Sequence, residues 1–262
     1  MVNKKLTVCL IVDNPLRDLD GLILVAYYLS QKNVVVYLVP MYVQATDVLA
    51  IKPDLVLLNY LRPNNLYLAQ QYKSKGISIG VLDTEGFFGN EPDEFAKLIT
   101  SVGNIGFVDL YCCWGLAQYK ALLKTKKFKK TTLKLTGCPR YDFCNTVLRS
   151  SLSKISNIGK FVLINANFPT INPLFSKGSD SEKAIIAFTS MIKLVKNIST
   201  KFKNVNFVLR PHPFENMNGY SQLKHIKNVF LKQEKTSIEW INSAICLIHL
   251  NCSTAVEAAM LG

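Results

Sequence analysis

The chain has 262 residues, 49% of them hydrophobic and 19% charged, which is enough for one large or two smaller domains with apolar cores and excludes disordered, collagenous and coiled-coil chains. Thirty-one Lys and Arg against eighteen Asp and Glu give a net charge of +13, so the surface attracts something anionic: nucleic acid, anionic lipid or a phosphorylated small substrate. The seven cysteines form no C-x-x-C pair, which argues against a disulfide framework or a structural zinc and fits a reducing, cytoplasmic compartment.

The start is basic, but its apolar run meets Asp13 and Asn14 too early for a signal peptide and reads as a first strand. No apolar stretch approaches the roughly 20 residues that cross a bilayer, so membrane contact is expected to be peripheral. Strands are predicted at Leu6–Asp13, Val34–Val39, Asp54–Asn59, Ile77–Leu82, Val108–Cys113 and Thr132–Thr136. Helices are predicted at Gly21–Gln31, Asn65–Lys75, Asp93–Val102 and Leu116–Lys124, with Asp13–Gly21 as a polar loop. Strand–helix alternation of this kind predicts a doubly wound parallel sheet over residues 1–150.

Ser-rich Ser150–Lys160 is expected to be a linker, and a second alternating unit follows over 160–262. Its strands are Phe161–Ala166, Asn206–Leu209, Val229–Lys232 and Ala244–His249; its helices are Glu182–Thr200, Ser237–Ser243 and Ser253–Leu261. Four strands are fewer than usual, and an incomplete C-terminal end is expected. The fold class is thus α/β, two Rossmann-like domains, with ligands expected in a cleft at the carboxyl ends of both sheets.

The chemistry-bearing residues cluster at those strand ends. Arg210-Pro211-His212-Pro213 follows a strand, and the prolines fix the backbone around an Arg and a His able to grip a phosphate; a plain strand-end turn is the alternative. After His249, Ser253 and Thr254 stand where a helix begins, either as an ordinary cap or as an anion site, with Glu257 one turn in and placed for a sugar hydroxyl. Asp83-Thr84-Glu85-Gly86 places carboxylates at a strand end for acid/base work, with helix capping as the alternative. Arg140 and Asp142 follow another strand, either paired or facing the cleft. Arg17 lies in the first strand–helix loop, and Asn165 and Asn167 offer amides to substrate hydroxyls.

G-x-G-x-x-G and G-x-x-x-x-G-K-[ST] are both missing, which disfavours a dinucleotide cofactor and P-loop chemistry; no cofactor and no metal are expected. Lys120–Lys134 holds seven lysines and no acid, either a solvated face or a contact for anionic lipid. Lysines with one Phe and no Arg make a poor nucleic-acid patch, so no nucleic-acid partner is expected.

Taken together, Arg-Pro-His-Pro, the His-x-Asn-Cys-Ser-Thr-x-x-Glu-Ala-x-x-Leu-Gly block, Asp-Thr-Glu-Gly, Gly-Cys-Pro-Arg-Tyr-Asp and Arg-Asp-Leu-Asp-Gly resemble bacterial surface carbohydrate biosynthesis proteins. These are similar to two-Rossmann (GT-B) glycosyltransferases of capsule and lipopolysaccharide assembly, including Kdo transferases and, more distantly, CMP-sialic acid sialyltransferases. The resemblance implies transfer of a sugar, Kdo-like or another nonulosonic acid, from a nucleotide donor, CMP-linked favoured, to a glycan or lipid-linked glycan. It implies that His212 with Pro213 and Ser253 with Thr254 hold the donor phosphate, and that Glu85 or Asp83 is the general acid or base. Asp142 is implied as second carboxylate, and as the nucleophile in a double-displacement mechanism. A nucleotide-sugar epimerase, a glycerophosphotransferase and a non-catalytic nucleotide- or glycan-binding module are the competing readings.

Overall fold

A computed structural model describes residues 5–84, 92–101, 103, 105–129, 132–175, 177–178, 181–250 and 252–262. The chain divides into two compact units, Met1–Asp142 and Phe143–Gly262.

Unit 1 runs β1 (Thr7–Val12), α1 (Pro15–Ser30), β2 (Val35–Pro40), α2 (Gln44–Ile51), β3 (Leu55–Leu58), α3 (Leu66–Ser74), β4 (Ser78–Val81), α4 (Pro92–Thr100), β5 (Leu110–Cys113), α5 (Leu116–Lys124) and β6 (Leu133–Leu135). The strands form one parallel sheet in the order β2-β1-β3-β4-β5-β6. The step from β1 to β2 runs opposite to every later step, and right-handed crossovers therefore put α1 on one face and the later helices on the other. The core reflects this: Val8, Leu10 and Leu57 pack with Leu22 of α1. Cys9, Ile11, Val56 and Ile79 pack with Val48, Tyr72, Ile99 and Leu122 from α2 to α5.

The first helix begins earlier than its apolar pattern predicts. Asn14 is its N-cap, the side chain accepting from Leu16 N–H, and Pro15 occupies the first turn, so most of the expected polar loop is helical. Gly21 lies within this helix because the backbone of Pro139 and Arg140 crosses it; a Cβ there would meet the Arg140 nitrogen at 2.7 Å. α2 was not expected, since its 8 residues carry little of the periodicity that marks longer helices.

Unit 2 runs α6 (Thr146–Arg149), β7 (Phe161–Asn165), α7 (Glu182–Lys201), β8 (Asn206–Arg210), β9 (Val229–Leu231), α8 (Ser237–Ser243), β10 (Cys246–His249) and α9 (Thr254–Leu261). Its parallel sheet has the order β10-β7-β8-β9, with the reversal between β7 and β10. α7 covers one face through Met191, Ile192 and Val195, while Trp240, Ile241 and Leu261 cover the other. The Ser-rich stretch expected as a linker is tied to this unit. Leu152, Ile155 and Ile158 pack on its core, and nearby Arg149 donates to Asn242 Oδ1 at 2.8 Å and the Leu261 carbonyl at 2.6 Å.

Among the described residues no helix is long and apolar enough to cross a membrane.

Candidate functional site

In unit 2 the strand register aligns three predicted residues. Arg210 ends β8 opposite Asn165, which ends β7 opposite His249 at the end of β10. The row crosses the point where strand order reverses, the place where open α/β sheets leave a crevice for ligands.

Asn165 is buried, and its amide donates to Thr254 Oγ1 at 3.0 Å, tying β7 to the start of α9. Its Oδ1 is buried and has no hydrogen-bond partner among the described residues. Ser253 occupies the N-cap position of α9 but makes no side-chain cap, so its hydroxyl is not engaged by the helix. The Ala255 and Val256 N–H groups close onto the Cys252 and Ser253 carbonyls, and the Thr254 hydroxyl donates to Cys252 Sγ at 3.2 Å, so the first turn offers the Ser253 hydroxyl and its dipole.

His212 is half-buried at the head of a turn that Pro213 initiates, closed by the Glu215 N–H donating to the His212 carbonyl at 2.8 Å. Its Nδ1 accepts the Phe214 N–H at 3.2 Å, which leaves the Nε2–H as the donor. Asn167, just beyond β7, and His249 are exposed.

Two expectations in this unit change. Arg210 is buried, donates to the Lys235 carbonyl at 2.8 Å and lies over the Trp240 ring at 5.9 Å. Its guanidinium therefore braces the loop before α8 instead of reaching outward, and desolvation lowers its pKa to about 10 against the opposing pull of Glu234, Glu257 and Glu239. Glu257 is also turned inward: it is buried, and its carboxylate accepts the Ser237 hydroxyl at 2.7 Å, so it links α9 to α8 and does not face a sugar.

The residue that organises this end of the sheet was missed. Glu215 is fully buried and accepts from Phe168 N–H at 3.0 Å, His212 N–H at 2.8 Å and the Tyr220 hydroxyl at 2.6 Å. It joins the loop after β7 to the turn that carries His212. The signal was an acid three residues after His212, the spacing by which a capping-box Glu reaches back to a backbone N–H. Gln233 adds a second tie, donating to the His212 carbonyl at 2.8 Å.

In unit 1, Asp83 is fully buried at φ +49°, beyond the end of β4. It accepts from Arg62, at 3.1 Å to Oδ1, and from the Tyr111 hydroxyl. Burial, then the Asp83 charge, hold the Tyr111 hydroxyl well above the usual tyrosine range. Glu85, its neighbour in the predicted acidic pair, lies outside the described residues. Arg17 donates to Asp13 at 2.8 Å and to Asp18 at 2.8 Å, with Thr84 Oγ1 at 3.5 Å, which connects the loops after β1 and β4. Arg140 is buried and stacks over Trp114 at 5.4 Å and Tyr141 at 4.8 Å. Asp142 is exposed, and partial desolvation raises its carboxyl above the ordinary aspartate range. Arg62, Tyr111 and Trp114 were invisible to motif reading because Arg62 lies in the loop after β3 while Tyr111 and Trp114 lie in and just after β5, outside the blocks that carry the motifs.

No protein-family model and no curated protein matches this sequence. Solved structures do match. A Listeria monocytogenes protein assigned as a UDP-N-acetylglucosamine 2-epimerase aligns at TM-score 0.66 and 13% identity, over 98% of this chain and 77% of its own. The Neisseria meningitidis UDP-GlcNAc 2-epimerase bound to UDP-GlcNAc aligns at TM-score 0.59 and 12% identity, over 93% and 77%. The wall teichoic acid polymerase TagF, soaked with CDPG, aligns at TM-score 0.53 and 14% identity, over 97% and 68%. At these identities the likeness is one of fold: a chain of two parallel, Rossmann-like α/β units, as the strand–helix alternation predicts, with the GT-B-like fold that the resemblance implies.

Proposed function

We propose that the chain is a glycosyltransferase that takes a sugar from a nucleotide donor, with unit 2 holding the donor phosphate and Glu85 or Asp142 of unit 1 serving as the carboxylate that acts on the transferred sugar or its acceptor. The observation that supports the donor half is the strand-order reversal itself, where Asn165 and His249 end the neighbouring strands β7 and β10 and α9 starts beside them. A phosphate there meets the His212 Nε2–H, the Ser253 hydroxyl and the positive end of α9. As the sugar–oxygen bond breaks, the departing nucleotide keeps the electron pair, and donors already in place stabilise its growing charge. The acceptor hydroxyl attacks the sugar and gives up its proton to a carboxylate.

The CMP-linked, Kdo-like donor and the glycan or lipid-linked glycan acceptor rest on the sequence blocks around His212, Ser253 and Glu85. An acceptor on the cytoplasmic face of a membrane would suit the exposed lysines of Lys120–Lys134, of which Lys124 pairs with Asp93 at 2.8 Å. A second reading, nucleotide-sugar epimerisation, is favoured by the fold shared with two UDP-GlcNAc 2-epimerase structures.

The test is calorimetric and thermal-shift titration of the purified chain with CMP, CDP, UDP and GDP, followed by product analysis with the matching nucleotide-sugars. CMP-selective binding that His212→Ala weakens by about 1.5–3 kcal/mol, roughly ten- to a hundredfold, supports the donor assignment. Free nucleotide released with a transferred sugar supports transfer. An altered sugar still carrying its nucleotide establishes the epimerase instead, and no binding of any nucleotide refutes both.

A further inference from the structure

The sheet of unit 1 ends on β2, and among the described residues nothing pairs with its outer side. Val35 N–H donates to the Leu6 carbonyl, so by strand alternation the Val36 and Leu38 N–H groups point away from β1. Exposed edges are usually blunted by charge, by an internal proline or by a bulge, because they template pairing with another chain. β2 reads Val-Val-Tyr-Leu-Val-Pro, with no charge and its proline only at the end. From Gly21 to Thr46, Lys32 is the only charged residue, in a chain that is 19% charged. Apolar side chains stand in solvent on β2 and on the helix that leads into it: Tyr37 and Leu38 on β2, Ile23, Tyr27 and Tyr28 on α1, and Tyr42 just beyond β2 at 76% exposure.

We propose that β2 and α1 form a two-fold interface with a second copy of this chain, in which the two β2 strands pair antiparallel and join two six-stranded sheets. A two-fold axis sets an edge against itself in the antiparallel sense, so a single uncharged edge is complementary to its own copy. Charge points to the same occupant. Two copies at +13 repel, and a contact between them is tolerated where basic residues are scarce, as they are from Gly21 to Thr46. An anionic lipid surface or a nucleic acid would instead find almost no cation there. Size agrees as well: with about 200 Å² for a fully exposed tyrosine, the six side chains expose on the order of 600 Å², close to the roughly 800 Å² per partner of a stable interface.

The test is sedimentation velocity of the full chain from about 1 to about 100 μM, with amide exchange read at β2. The expected result is a dimer whose Val36 and Leu38 amides lose protection on dilution, while Val35 and Tyr37, bonded to β1, keep theirs. Tyr37→Lys, at an exposed position, raises the dimer dissociation constant at least a hundredfold with an unchanged far-ultraviolet spectrum. A wild-type monomer at the highest concentration overturns the proposal, as does a dimer with freely exchanging Val36 and Leu38 amides or one that Tyr37→Lys leaves intact. The exchange measurement uses only the wild-type chain and decides the matter even if the variant misfolds. A monomer that binds neutral phosphatidylcholine vesicles through this edge assigns it to membrane and also refutes the dimer.

Discussion

Replacing Glu215 tests how the His212 turn is held. Its carboxylate satisfies two backbone N–H groups and one hydroxyl in a fully buried place, at 3.0, 2.8 and 2.6 Å. Glu215→Ala leaves the Phe168 and His212 N–H groups and the Tyr220 hydroxyl without an acceptor, each at about 1–3 kcal/mol. Relaxation and water entry recover part of this, and a loss of about 3–5 kcal/mol is expected for unit 2, a large fraction of a typical domain stability of 5–15 kcal/mol.

Glu215→Gln is the informative partner. Its carbonyl oxygen still accepts both backbone N–H groups, and the Tyr220 hydroxyl rotates to accept from the new amide, so the loss is about 1 kcal/mol for the missing charge assistance. Urea unfolding followed through Trp240, the tryptophan of unit 2, separates the outcomes; Trp114, in unit 1, is replaced by Phe in every variant to silence its signal. A Glu215→Ala loss below about 1 kcal/mol, or equal losses for Ala and Gln, would show that the carboxylate is not the tie described.

Three further outcomes are expected. Gly21→Ala forces α1 off the Pro139–Arg140 backbone, which a Cβ would meet at 2.7–3.1 Å, and lowers stability by about 1–3 kcal/mol, whereas Gly115→Ala, with open space at its Cβ, does not carry this clash; paired thermal melts check the difference. Tyr111→Phe removes one of the groups that Asp83 accepts from and leaves Arg62 in place; the fall in melting temperature should correspond to about 1–2 kcal/mol, and an unchanged value rules out a real Tyr111–Asp83 bond. In thiol titration at pH 8, Cys246 reacts first and Cys252 next, while Cys9 and Cys113, their thiols raised to about 11 and about 12 by burial, stay protonated and unreactive until the chain unfolds. Mass spectrometry of the modified peptides checks the order, and slower Cys252 modification in the presence of a bound nucleotide would place that ligand at the start of α9.

The sequence alone determined the alternation of strand and helix and hence two parallel α/β units, because continuous β-branched runs separated by helical periods have few other ways to bury their apolar faces. It also determined that Arg210, Asn165 and His249 stand at strand ends, since each closes an apolar run. It could not say which way those side chains turn. Arg210 and Glu257 carry the charges expected of a ligand site, but the loop carbonyls, Trp240 and Ser237 that draw them inward come from other parts of the chain. Asp83 is likewise met by Arg62 and Tyr111, which are 21 and 28 residues away along the chain. Strand order, and with it the β7–β10 reversal beside α9, belongs to the tertiary structure, because local pattern fixes what pairs only after distant strands have been brought together. The role of Glu215 was decided in the same way: three donors, from Phe168, His212 and Tyr220, meet one buried carboxylate only when two strand-end loops lie side by side.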